Sequence, residues 1–170
     1  MTVRLAAFLR AVNVGGTGKL PMTELKAMCE SLGFVNVKTF IASGNVVFET
    51  TLSAAKAKAA LEAAVVNYLG KPVGLFVRDR VSLEAMIGNN PFAKAEGHRL
   101  MMILLDASPS KSMIDAARFK VDEEIALGHQ CLYVHYPSGM GKSKLKMPGA
   151  EQGTARNMNT MRAMLALLNG

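Results

Sequence analysis

Several residue types and segment types are scarce in this chain of 170 residues, and each scarcity excludes a class of protein. Its two cysteines, Cys29 and Cys131, lie far apart and outside any Cys-x-x-Cys pair, so we expect neither a disulfide framework nor a zinc site. The most apolar runs, such as 100–105, are far shorter than the roughly 20 residues of a membrane helix. Because the first residues also lack the long apolar centre of a signal peptide, we expect a cytoplasmic protein that does not contact a membrane.

Aromatic residues are scarce as well, at 6% of the chain with no tryptophan. RNA-recognition modules stack bases on several aromatic residues of their central strands. The segment of this chain that compares with such a strand, 43–48, contains only Phe48, so the chain does not match these modules. The three histidines, His98, His129 and His135, are not spaced with carboxylates as metal ligands are. No serine or cysteine has a basic partner nearby in sequence, so no catalytic residue can be named from the pattern. We expect neither a bound metal nor a cofactor.

Acidic side chains are outnumbered by basic ones, 13 against 20, which gives a net charge of +7 and a pI near 9.6. A positive field of this kind favours anionic partners. We therefore expect the partner to be nucleic acid or a phosphorylated small molecule, although many basic enzymes share the same balance.

The spacing of apolar residues predicts the order β-α-β-β-α-β for residues 1–79. Two helices on one face of a four-stranded antiparallel sheet form the split βαβ, or ferredoxin-like, arrangement. Residues 80–170 give a short helix and then β-α-β-β-α, the same order without its last strand. We predict an α+β fold of two ferredoxin-like subdomains, 1–79 and 80–170, with antiparallel sheets and helices on one face, packed as one compact unit.

A glycine-rich loop follows the first predicted strand and leads into the first helix. It does not match a dinucleotide fingerprint, because Gly16-Thr17-Gly18 is not followed by a glycine three residues later. Its backbone N–H groups could form a nest for an anion, with Arg10 and Lys19 supplying charge. Alternatively, the glycines only turn the chain. The next turn, Ser43-Gly44-Asn45, joins two predicted strands.

A second glycine-rich segment, Gly139-Met140-Gly141-Lys142-Ser143, resembles the end of a P-loop. Tyr136 stands where that motif requires its first glycine, and Pro148 leaves room for little more than one helical turn, so a P-loop is excluded. Lys142, Lys144 and Lys146 point the same way if the segment is extended. They indicate either a nucleic-acid surface held by phosphate contacts or a solvated loop.

The last helix is predicted from about Arg156 to Leu168, with Thr154 as its N-cap. Asn157 falls within the apolar stripe of its first turn, whereas Arg156 and Thr160 lie on the opposite face. The unpaired N–H groups of such a helix start attract a phosphate or carboxylate. Equally, Asn157 could serve only to pin the helix to a neighbouring loop.

Specific motifs occur in order along nearly the whole chain. They are Leu9-Arg10-Ala11-Val12-Asn13-Val14-Gly15-Gly16, Lys19-Leu20-Pro21-Met22, Leu32-Gly33-Phe34, Val37-Lys38-Thr39-Phe40-Ile41-Ala42-Ser43-Gly44-Asn45-Val46-Val47-Phe48, Asn90-Pro91-Phe92, Ser143-Lys144-Leu145 and Thr154-Ala155-Arg156-Asn157-Met158-Asn159-Thr160. Together they resemble a bacterial family known as domain of unknown function 1697. The resemblance implies an α+β fold of two similar subdomains and no established activity.

Three hypotheses about function follow. The leading one is a binding protein for an anionic ligand at a basic surface between the subdomains. The second is an enzyme acting on a phosphorylated metabolite or nucleotide, and the third is a structural or adaptor protein without a small ligand. The candidate ligand-binding residues are Arg10, Asn13, Gly15, Gly16, Lys19, Ser43, Gly44, Asn45, Lys142, Ser143, Lys144, Arg156, Asn157, Asn159 and Thr160.

Overall fold

The computed structural model describes residues 1–14 and 19–170, so the candidate residues Gly15 and Gly16 lie outside the described residues. The strands are β1 (Val3–Leu9), β2 (Val35–Thr39), β3 (Asn45–Thr50), β4 (Leu75–Asp79), β5 (Leu100–Leu104), β6 (Glu124–Gly128), β7 (Cys131–His135) and β8 (Thr154–Asn157). The helices are α1 (Met22–Ser31), α2 (Ala54–Leu69), α3 (Arg80–Gly88), α4 (Lys111–Asp115) and α5 (Met158–Asn169). Within the described ranges, no helix is both long and apolar enough to cross a membrane.

These strands form two antiparallel four-stranded sheets with matching strand orders, β2-β3-β1-β4 and β6-β7-β5-β8. In each sheet the first strand of the half lies between the third and the fourth, as in the ferredoxin-like arrangement. The prediction of an α+β fold with two similar halves is therefore confirmed.

The chain divides into two compact units. Unit 1 consists of Met1–Leu83 together with Ala163–Gly170, and unit 2 consists of Glu84–Arg162. Helix α5 therefore begins in unit 2 and ends in unit 1.

The core of unit 1 lies between one face of its sheet and helices α1 and α2. Strand β1 contributes Leu5, Ala7 and Leu9, because alternate residues of a strand share a face. Helix α2 buries Ala57, Leu61 and Val65, spaced four residues apart. Its ends are capped by Ser53, whose Oγ accepts a hydrogen bond from Lys56 N at 3.2 Å, and by Gly70 at φ +75°. The other face of β1 is buried too, at Ala6 and Phe8, which explains its continuous apolar sequence.

Unit 2 contains a fourth strand, β8, that the sequence reading missed. It pairs with β5 in the register Leu104↔Thr154 to Met101↔Asn157. The predicted start of the last helix at Arg156 is therefore wrong, because α5 begins at Met158. The reason is that the buried positions of β8 are polar, Thr154 and Arg156, so the strand shows no apolar alternation.

Candidate functional site

Asn13 ties together two predicted parts of the candidate site in unit 1. Its Nδ2 donates hydrogen bonds to Leu20 O at 2.7 Å and Ala42 O at 2.8 Å, and its Oδ1 accepts one from Leu20 N at 2.7 Å. Asn13 has a φ of +58°, which asparagine tolerates better than most residues. The side chain thus joins the far end of the first loop to the Ser43-Gly44-Asn45 turn.

The Ser43-Gly44-Asn45 turn packs closely against β1. Gly44 has a φ of +89°, and a Cβ there would lie 2.7 Å from Val12 Cγ2 and 2.9 Å from Leu9 Cβ. The Nδ2 of Asn45 donates to Phe40 O and to Ser43 Oγ, both at 2.9 Å. Because Asn45 is fully buried, its amide and the glycine both serve the hairpin that joins β2 to β3.

The two cationic candidates of the first loop differ in exposure. Lys19 is exposed, and Arg10 is half-buried where its backbone N donates to Gly74 O at 2.8 Å.

In unit 2, the residues around the β8–α5 junction form a closely bonded group. Arg156 is buried, and its Nη1 donates to Thr154 Oγ1 at 2.6 Å and to Ala155 O at 3.0 Å. Burial lowers the pKa of its guanidinium from 12.5 to about 10. Arg156 and Thr160 were predicted on the helix face opposite the apolar stripe, but Arg156 is a strand residue and both are buried.

Asn157 is the cap of α5. Its Oδ1 accepts a hydrogen bond from Thr160 N at 2.9 Å, three residues into the helix. The prediction that Thr154 is the N-cap is therefore wrong, because Thr154 is the first residue of β8. Asn159 lies against Gly97, where a Cβ would come within 2.0 Å of its Oδ1.

The lysine segment, residues 142–146, is held in place by Glu123. Ser143 Oγ donates to Glu123 Oε2 at 2.6 Å, and Leu145 N donates to Ser143 Oγ at 3.2 Å. The other oxygen, Oε1, accepts from the backbone N of Val121 at 2.8 Å and of Asp122 at 3.0 Å. These hydrogen bonds lower the pKa of Glu123 from 4.5 to about 2, and the one from Ser143 has the largest effect.

Residues of the lysine segment alternate between exposed and half-buried. Lys142, Lys144 and Lys146 are exposed, whereas Ser143 and Leu145 between them are half-buried. Lys142 lies in the turn that the hydrogen bond from Ser143 N to Met140 O closes at 3.1 Å, whereas Lys144 and Lys146 alternate with Leu145 as in extended chain.

A short antiparallel bridge brings a second basic segment against the first. Arg118 N donates to Lys146 O at 2.8 Å, and Lys146 N donates to Arg118 O at 2.9 Å. Phe119 follows at a φ of +60° with 63% of its surface exposed, and Lys120 is exposed too. We call Arg118, Phe119, Lys120, Lys142, Lys144 and Lys146 the basic surface.

The sequence reading missed Arg118, Phe119 and Lys120. Their only local signal is an aromatic residue between two cations, which is too common to single out. They lie more than 20 residues before the lysine segment, so only the bridge reveals that the lysines have an aromatic neighbour. Within residues 1–14 and 19–170, no group of three or more histidine, cysteine or acidic side chains is placed to hold a metal ion.

Comparison with known proteins bears on the fold and on the family. The model of the family described as Protein of unknown function (DUF1697) matches residues 1–133 of the chain. The chain belongs to this family. The matched residues include the first loop and Arg118 to Lys120, and the lysine segment follows them. The family prediction from the sequence is thus confirmed.

A solved structure shares the fold. It is that of a conserved bacterial protein from Streptococcus pneumoniae, 22% identical, and the match covers 99% of each chain with a TM-score of 0.81. No curated protein is similar enough to the chain to count as a match.

Proposed function

We propose that the protein binds single-stranded nucleic acid at the basic surface of unit 2. The observation that carries the proposal is the bridge between Arg118 and Lys146, which joins two cationic segments next to the exposed Phe119. Proteins that bind single strands combine a positively charged track for the phosphates with aromatic side chains for the bases.

The charges of the basic surface suit a phosphate backbone. Five of its six residues are cationic, and all six are exposed. Each phosphate neutralised by such a group releases counterions, so the affinity must weaken as salt rises. Glu123 and the bridge hold the lysine segment in place. Binding a ligand therefore loses less conformational entropy than it would if a free loop had to be ordered.

Phe119 supports the same conclusion. A phenylalanine at positive φ costs about 1–2 kcal/mol relative to a relaxed backbone, and its exposed ring gains little from burial in return. A residue that lowers stability in this way requires another reason to be there. Stacking on a base is a role that every base can satisfy.

Several other candidate residues have structural partners of their own. Asn13, Asn45 and Asn157 each hold backbone groups, and Arg156 is buried against Thr154. The proposal therefore rests on Lys142 and Lys144 among the predicted residues, while a ligand role for the others stays a prediction.

The test is fluorescence anisotropy with labelled single-stranded RNA and DNA of about 12 nucleotides at several salt concentrations. We expect the log of the affinity to fall linearly with the log of salt, with a slope of about −0.7 for each phosphate contact. Lys144→Gln should make this slope shallower by about 0.7, and Lys26→Gln on α1 is the matched control that should not change it.

Phe119→Gly tests the stacking role separately from charge. The variant should bind roughly tenfold to a hundredfold more weakly, because one base stack contributes about 1–3 kcal/mol. It should be no less stable than the parent, since glycine adopts positive φ without strain. Tyr68→Ala removes a half-exposed ring of unit 1 and should leave binding unchanged. Absence of salt-dependent binding would overturn the proposal, and equal competition by inorganic phosphate would favour a small phosphorylated ligand instead.

A further inference from the structure

Unit 2 also contains a cavity of about 580 Å³ that shares no lining residue with the basic surface. This volume is typical of sites for small molecules. The residues that matter for the argument are Phe92, Lys94, Glu96, Arg99, Glu124 and His135. Three features of the cavity, a histidine–carboxylate pair, an aromatic wall and a fixed guanidinium, indicate the chemistry of a ligand.

The histidine–carboxylate pair is built by strand register. Glu124 on β6 lies directly opposite His135 on β7, and the Nδ1 of His135 is 2.9 Å from Oε1 of Glu124. A neutral imidazole that donates its Nδ1–H to a carboxylate carries its lone pair on Nε2. Within the part of the chain that the structure describes, no hydrogen bond engages this Nε2. In the neutral imidazole, this atom is therefore an acceptor for a donor group on a ligand.

The aromatic wall comes from the Asn90-Pro91-Phe92 motif. The Oδ1 of Asn90 accepts a hydrogen bond from Phe92 N at 2.8 Å, which fixes the turn. The ring of Phe92 then lies 5.7 Å from that of His135, at an angle of 34°. Its apolar surface suits the carbon skeleton of a small molecule.

The guanidinium of Arg99 is held in the same cavity. Backbone hydrogen bonds at both its N and O, to Glu96 O at 2.9 Å and from Tyr136 N at 2.8 Å, fix the residue. Its Nη1 donates to Pro137 O, and its Nε is 4.0 Å from a carboxylate oxygen of Glu96. A guanidinium has five N–H donors in all, so it can also bind a carboxylate or phosphate.

We propose that this cavity binds a small molecule that carries both an anionic group, a carboxylate or a phosphate, and a hydroxyl. The anionic group pairs with Arg99, the hydroxyl donates a hydrogen bond to Nε2 of His135, and the carbon skeleton packs on Phe92. Glu124 is a positioning residue, because it acts on the ligand only through the orientation and tautomer of His135. The site is independent of the nucleic-acid surface proposed above.

The experiment observes the imidazole ¹⁵N signals of the full chain by NMR during titration with matched probes. Lactate differs from propionate only in its hydroxyl, and glycerol 3-phosphate differs from propyl phosphate only in its hydroxyls. We expect saturable shifts of the His135 signals with at least one hydroxyl-bearing probe, and about tenfold weaker binding of its analogue. The better of the two hydroxyl-bearing probes distinguishes a carboxylate from a phosphate ligand. His129, which contacts Ser108 outside this cavity, is the internal control whose signals should not move.

Two variants test the assignment of groups. Arg99→Gln should weaken binding of the hydroxyl-bearing probe at least about tenfold. Glu124→Gln, at an exposed position of β6, should change the tautomer signature of His135 and reduce the preference for the hydroxyl-bearing probe. The proposal is overturned if His135 does not respond to any probe, if His129 responds equally, or if Glu124→Gln leaves both the tautomer and the preference unchanged.

Discussion

Glu123 is a buried carboxylate that accepts hydrogen bonds from both segments that carry the basic surface. Ser143 donates to one oxygen, and the backbone groups of Val121 and Asp122 donate to the other. The folded protein therefore favours the charged carboxylate and lowers its pKa from 4.5 to about 2. A group with a lowered pKa contributes stability that is fully present above 4.5 and is lost as the pH falls towards 2.

Ser143→Ala should raise the pKa of Glu123, because it removes the largest of the contributions that lower it. The variant should be less stable than the parent at neutral pH, and the difference should shrink as the pH falls from 4.5 towards 2. Carboxyl ¹³C NMR titration measures the pKa, and urea unfolding at several pH values measures stability.

Ser138→Ala is the matched control for this prediction, because Ser138 donates to Asp122 instead. A pKa of Glu123 that is equal in the Ser143 variant and the parent would contradict the assigned cause.

Side-chain partners were the part of the site that the sequence could not provide. The lysine alternation was visible in the sequence, because it depends only on neighbouring residues. The partner of Ser143 lies 20 residues away, and that of Lys146 lies 28 residues away. Such pairings are set by the path of the chain through unit 2, which local patterns do not record.

At the scale of elements, a single asparagine joins β8 to α5. Asn157 is both the last residue of the strand and the cap of the helix. Its backbone pairs with Met101, while its side chain satisfies Thr160 N. One residue thus sets where the extended chain stops and the helix starts.

Asn157→Ala should lower the free energy of unfolding by about 0.5–2 kcal/mol, since it removes the cap acceptor. Asn157→Asp should retain most of the stability, because aspartate also caps and its charge suits a helix N-terminus. Chemical denaturation of both variants is the measurement. Equal losses of stability in the alanine and aspartate variants would show that stability depends on the amide group of Asn157 and not on helix capping.

The elements with apolar periodicity were predicted in their correct order, and β8 was not predicted. Helix α2, one of the two helices predicted for residues 1–79, begins at Ala54 with Ser53 as its cap, and its buried positions are four residues apart. Strand β8 is four residues long and buries polar side chains, so neither length nor pattern indicated it. These polar residues removed the apolar alternation that predicts a strand, and the same residues suggested a binding site.

At the scale of the molecule, the repeated sheet order was predictable and the path of the last helix was not. The first half provided the β-α-β-β-α-β order in full, and the second half repeats its strand order. The return of residues 163–170 to unit 1 has no sequence signal, because the apolar stripe of α5 looks the same along its length.

The end of α5 should therefore contribute to the stability of unit 1. Leu168 is 1% exposed, and its carbonyl oxygen accepts a hydrogen bond from Arg4 Nη1 at 3.1 Å. Leu168→Ala should lower the free energy of unfolding by about 2–5 kcal/mol, as large-to-small changes at buried leucines do. Hydrogen exchange should locate the lost protection in β1 and its neighbours β3 and β4.

Leu167→Ala, at the half-buried neighbouring position, is the control and should cost less. Comparable losses at the two positions would contradict a specific role for the buried face of the helix end.

The division of unit 1 between two distant parts of the chain affects the order of events during synthesis. Residues 1–83 leave the ribosome first, but the residues that complete their unit are made only after all of unit 2. Nascent unit 1 must therefore wait, partly assembled, with apolar surface exposed to neighbouring chains. Slower translation would lengthen this vulnerable interval, whereas a circular permutant that joins residues 163–170 directly to Met1 would remove it.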